Sequence, residues 1–152
     1  MHAVFSWFKS LNAFAFVIVM LILTAGVTLP LEYFASATQD ESIGPEALGK
    51  LLEFPLYVVV LGPFLETVIF QWAPIRFMRN NFQLGKAKIV LLSALPFGLI
   101  HAYSPLYVLA AFCMGLLLAF GFLVRDVGRG HALWLIALVH GLNNGATLLF
   151  AR

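Results

Sequence analysis

The chain has 152 residues, 62% of them hydrophobic and 11% charged, with 9 Lys and Arg against 7 Asp and Glu. Its mean hydropathy is +0.96; soluble domains are roughly half apolar and a quarter charged, so lipid must be the solvent, and the length suits a single membrane domain, 1–152. The basic residues form no run suited to nucleic acid, and a single cysteine, Cys113, excludes an intrachain disulfide and a cysteine metal cluster.

A bilayer core of ~30 Å needs about 20 apolar residues per helix. Five stretches answer to this: 11–31, 54–73, 87–102, 106–124 and 132–150, the third being the shortest. They are continuous rather than alternating, which predicts an all-α, polytopic transmembrane bundle of about five spans. Span one has a rival reading. Ala35-Ser36-Ala37 resembles a signal-peptidase site with Lys9 as the charged region before it, although the apolar run is longer than usual. Between spans one and two, Pro45 and Glu46 read as a helix start, with an interfacial stretch running to Glu53. Pro63 and Pro96 are expected to bend spans two and three.

Charge sets the expected orientation. Lys9, then Arg76, Arg79, Lys86 and Lys88, then Arg125 and Arg129 fall in alternate connections. The segment 32–53 holds five acids and one Lys, and the connection after His101 has no basic residue. Basic connections stay in the cytoplasm, which predicts a cytoplasmic N-terminus, most naturally in a bacterial cell membrane, with Arg152 a minor exception. Trp7, Trp72 and Trp134 read as interface anchors or lipid-facing bulk rather than a cofactor box. His2 and His131 lie at chain or helix ends and are expected to be solvated.

Three ionisable groups stand inside the apolar runs: Glu66 in span two, His101 in span three and His140 in span five. A charge at mid-bilayer costs about 3 kcal/mol on insertion scales, so such groups point to function. Span four has none and reads as scaffold. His140 and Asn144 share a helix face, as do Phe97 with His101 and Thr67 with Gln71. Gly141 and Gly145 beside His140 form a small-residue pair that admits a close neighbour. Counted from the outer ends at 1.5 Å per residue, Glu66 and His140 lie ~18 and ~17 Å deep but His101 only ~9 Å. A later start to span three, or a bend at Pro96, would narrow that gap.

In order, these residues resemble the motifs of the CAAX-protease and bacteriocin-processing (CPBP, or Abi) family of intramembrane endopeptidases. The second motif, F-x-x-x-H, is Phe97-Gly-Leu-Ile-His101, and the third, H-x-x-x-N, is His140-Gly-Leu-Asn-Asn144. The first, usually E-E-x-x-x-R, is altered to Glu66-Thr67-Val-Ile-Phe-Gln71. Its second Glu and Arg are replaced together, so a buried ion pair gives way to a neutral pair expected to hydrogen-bond. The resemblance spans roughly 62–148, within a family-like core of about 54–150.

The resemblance implies that Glu66 is the general base activating a water for attack on a peptide carbonyl. It implies that His101 holds that water, and that His140 and Asn144 stabilise the oxyanion. Thr67, Gln71, Asn143 and Asn144 are the polar groups expected to line a water path. Glu66, His101 and His140 would also serve as a three-ligand zinc set. Without an H-E-x-x-H motif, a metal-independent site is favoured over zinc, and the choice stays open. The partners implied are a peptide or lipid-anchored substrate and membrane lipids, with no nucleic acid. Two other classes remain beside the enzyme: a non-catalytic immunity or partner-stabilising membrane protein of the same fold, and a proton or ion carrier.

Overall fold

A computed structural model describes residues 2–37, 54–102, 104–126 and 131–150. The expected helix start at 42–46, the interfacial stretch to Glu53, Arg129 and Arg152 lie outside them. The described residues are helical with no strand among them, as the continuous apolar runs require.

The order is α1 (His2–Ser10), α2 (Ala13–Ala37), α3 (Tyr57–Asn81), α4 (Lys86–Ile100), α5 (Pro105–Arg125) and α6 (His131–Phe150). Four of these, α2, α3, α5 and α6, are long and apolar enough to cross a membrane. The third apolar stretch makes α4, only 15 residues, which at 1.5 Å per residue reaches about 22 Å. Short α1 was not expected as a separate element. It buries Phe8 edge-on against Phe16 and Phe120 and leaves Val4 and Trp7 exposed.

Between lipid-immersed helices packing, rather than water exclusion, holds neighbours together. Accordingly Phe16 and Met20 of α2, Leu118 and Phe122 of α5 and Ile136 and Val139 of α6 form one fully buried cluster. Span one is therefore part of the same core as the later spans. Gly141 of α6 sits where a Cβ would come within 2.1 Å of the Val59 carbonyl of α3, so only glycine permits that approach.

The basic residues meet at one end of this bundle. Arg76 and Arg79, in the last turns of α3, each reach Asp126 after α5 at 2.7 Å. Arg125 donates to the Leu11 carbonyl before α2 at 3.0 Å, and Lys86 at the start of α4 lies 3.9 Å from the Phe5 ring centre. The starts of α2 and α4 and the ends of α3 and α5 thus share one end, which is the up-and-down order that the charge alternation predicts.

α3 is not a regular α-helix. It runs π-helical over Tyr57–Leu61, α-helical over Gly62–Glu66, π-helical over Thr67–Trp72 and α-helical over Ala73–Asn81. Two prolines account for the carbonyls this leaves open. In the π register the Val58 carbonyl should meet the N–H of residue 63, and where α3 returns to the α register at Ala73 the Phe70 carbonyl should meet that of residue 74. Both are prolines, with no N–H to give. Asn144 of α6 donates to Val58 O at 3.1 Å, and the Ser93 hydroxyl of α4 donates to Phe70 O. Proline in a membrane helix is tolerated when neighbours satisfy the freed groups in this way.

Candidate active site

Glu66 lies at the junction between the central α turn of α3 and its second π segment. Such segments mark functional positions in many helices. His101 follows the last residue of α4, in a turn where its N–H bonds the Gly98 carbonyl. His140 is mid-way along α6.

The three side chains converge. Glu66 Oε2 is 3.6 Å from His140 Nε2 and 3.9 Å from His101 Nε2. The depth gap for His101 closes because α4 is short and ends level with Glu66. From the basic end, Glu66 is 13 residues beyond Arg79 and His101 is 15 beyond Lys86, or about 20 and 22 Å at helical rise. The missing distance is made up by α5, which starts further out.

His101 Nδ1 lies 2.7 Å from the Phe97 carbonyl, which can only accept, so Nδ1 carries the proton. The neutral ring then turns the lone pair of Nε2 towards Glu66. His140 is 2% exposed, and its Nδ1 is buried without a hydrogen-bond partner. A proton on its Nε2 faces the carboxylate, whereas one on Nδ1 faces nothing. Phe97 forms the wall between the rings, its centre 4.8 Å from that of His101 and 5.6 Å, edge-on, from that of His140. Tyr107 of α5 closes the far side of His101 at 5.9 Å.

The expected Thr67–Gln71 pair is not formed. Thr67 donates instead to the Pro63 carbonyl at 2.6 Å, and Gln71 is fully buried with both amide atoms unpartnered. The two residues lie in a π segment, which closes on the fifth residue rather than the fourth and takes i and i+4 out of register. Nor do both line a water path, because no water-sized space touches Thr67 or Gln71. Asn143 is buried too: its Oδ1 accepts from Thr28 of α2 at 3.4 Å and its Nδ2 points at Met114 Sδ at 3.8 Å. Asn144 is half-buried and holds the Val58 carbonyl.

Sequence reasoning passed over Thr28 and Ser93. Each is a hydroxyl in an otherwise apolar run, and Thr24 and Thr28, four apart and both buried, mark the inward face of α2. It also passed over Pro74, whose signal is its place four residues after Phe70.

Zinc takes nitrogen and oxygen donors at ~2.0–2.2 Å in a tetrahedron, which sets neighbouring donors about 3.4 Å apart. The carboxylate and imidazoles stand wider than this, and among the described residues no group of three His, Cys, Asp or Glu is arranged to hold a metal ion. Glu66, His101 and His140 are the residues that would hold such an ion, and their separations of 3.6 and 3.9 Å exceed that spacing by a few tenths of an ångström.

The Rce1-like family model, described as type II CAAX prenyl endopeptidase Rce1-like, matches residues 49–146. The chain belongs to that family. The match covers α3 to α6 apart from its last turn, and so takes in Glu66, His101, His140 and Asn144; α1 and α2 of this Rce1-like chain lie before it. No curated protein and no solved structure matches the chain.

Proposed function

We propose that this Rce1-like protein is an intramembrane endopeptidase in which Glu66 activates the hydrolytic water. The observation that carries the reading is one carboxylate oxygen within 4 Å of two imidazole nitrogens, one on α6 and one in the turn after α4. A water between Glu66 Oε2 and His101 Nε2 gives one hydrogen to each acceptor, and its free lone pair is left to attack. As the water oxygen bonds to the peptide carbonyl carbon, its proton passes to Glu66. The carbonyl oxygen becomes an oxyanion beside His140 Nε2–H, a preorganised donor in a dry setting. Glu66 then returns the proton to the leaving amine as the C–N bond breaks.

Asn144 acts on this reading as a positioning residue. By holding the Val58 carbonyl it fixes the π turn one turn before Glu66. The substrate is a peptide or lipid-anchored protein presented at the membrane, a prenylated C-terminus being the case the family's description names. The basic end of the bundle is assigned to the cytoplasm, and a bacterial cell membrane is the setting this orientation suits.

Glu66→Gln, nearly the same size, is the test. Cleavage of a lipid-anchored reporter in proteoliposomes should fall at least ~100-fold, the usual weight of a general base, while yield and melting in detergent stay unchanged. Full activity in a folded Glu66→Gln protein would sink the proposal. The non-catalytic reading has one observation in its favour, the unpartnered amide of Gln71 where the family pattern has a paired Arg. It predicts that Glu66→Gln and His140→Ala leave the phenotype intact.

A further inference from the structure

Away from the active site, a cavity of about 420 Å³ opens at the basic end of the bundle. It lies between the start of α2, the end of α5 and the start of α6, and Lys9, Ala13, Arg125, His131, Trp134 and Leu135 line it. Its chemistry is two-sided. One part carries the ammonium of Lys9 and the guanidinium of Arg125; the rest of the wall is apolar, and Trp134, 65% exposed, stacks on Phe64 at its edge.

Among the described residues these charges have no carboxylate partner. Of the chain's seven acids, five fall within 32–53 and one is Glu66. The seventh, Asp126, is already bound by Arg76 and Arg79. Arg125, next to it in sequence, bonds the Leu11 carbonyl and lies 4.6 Å from the Phe16 ring centre. Its buried Nε has no partner. A guanidinium held in place through the Leu11 carbonyl, an exposed ammonium beside it and an apolar wall together call for an amphiphile with an anionic head. Basic pockets between membrane helices are suited to such headgroups. A free phosphate would have no use for the apolar wall.

We propose that this cavity holds an anionic phospholipid, with its phosphate between Lys9 and Arg125 and an acyl chain along Ala13, Trp134 and Leu135. The site is independent of the proteolytic reading, since none of these residues touches Glu66, His101 or His140.

Trp134 reports on occupancy. The chain has three tryptophans, so a Trp7→Phe, Trp72→Phe protein in phosphatidylcholine vesicles reads the cavity alone. Brominated phosphatidylglycerol should quench Trp134 at a lower mole fraction than brominated phosphatidylcholine, by about fivefold for each basic group engaged. Lys9→Gln, at an exposed side chain, should remove about one such factor. Arg125→Gln should remove another, and because Arg125 also braces α2, the Lys9 variant decides if that protein does not fold. Lys88→Gln, at the same end but outside the cavity, should leave the preference as it was. Equal quenching by the two lipids overturns the proposal. So does a Lys88→Gln loss as large as that of Lys9→Gln, because surface charge alone would then suffice. Millimolar inorganic phosphate should not relieve the quenching; if it does, the ligand is soluble phosphate and the lipid assignment is wrong.

Discussion

Gln71 is the side chain whose surroundings suit it least. Its amide is fully buried with neither atom satisfied, and an unmet buried polar group costs about 1–3 kcal/mol. Gln71→Met keeps the length and removes the polar atoms. It should raise stability by a similar ~1–3 kcal/mol, read as a higher midpoint on denaturation in detergent. An unchanged or lower midpoint would mean that the amide is not the cost it is taken to be. The sequence placed Gln71 opposite Thr67 by helical spacing, and the spacing failed because the helix there is not α. The same kind of reasoning succeeded for Phe97 and His101, four apart at the end of a regular α4, whose rings do meet, 4.8 Å between centres. Residue spacing was legible only where the backbone kept its ordinary period. The convergence of Glu66, His101 and His140 was legible for a different reason: their cost in lipid marks them whatever the helix does.

α3 shows how an element can be tuned by residues that belong to its neighbours. Pro63 withholds an N–H from the Val58 carbonyl, and Asn144 supplies one from α6. Asn144→Ala should therefore cost about 1 kcal/mol by stranding a part-buried acceptor. The same change made on a Pro63→Ala background should cost much less, since the new N–H of residue 63 can serve that carbonyl. Denaturation midpoints of the two single variants and the double give the coupling directly. If the costs simply add, Pro63 is not what frees Val58. Pro63→Ala alone should melt no lower than the parent yet cleave at least ~10-fold more slowly, because shifting Glu66 by even 1 Å is expensive in rate. The prolines announced a bend in the sequence. They could not announce a π turn, which depends on Gly141 letting the Val59 carbonyl close in and on Ser93 and Asn144 arriving from elsewhere in the chain. The short reach of α4 has the same origin. Hydropathy runs on through Ile100 and His101, but the helix stops where the imidazole must turn to face Glu66.

At the scale of the whole molecule, charge and packing place the ends of the bundle by separate routes. The alternation of basic and acidic connections needs no coordinates. The contacts of Arg76 and Arg79 with Asp126, Arg125 with Leu11, and Lys86 with Phe5 need no membrane rule, yet they gather the same residues at one end. This leaves Ser10, the last residue of α1, at the basic end, and Ser104, before α5, at the other. A Cys113→Ser background frees the chain of its one thiol. In it, Ser104→Cys should react with a membrane-impermeant maleimide added to intact spheroplasts, while Ser10→Cys should react only after the membrane is opened. Lys or Arg in short connections sets orientation, so moving the balance should move the outcome. Neutralising Lys9, Lys86 and Lys88 together should make a fraction of Ser10→Cys protein label from outside. Labelling of Ser10→Cys from outside in the parent would reverse the assigned orientation while leaving the geometry at Glu66 untouched. The active site would then open to the opposite compartment, and any substrate would have to be sought there.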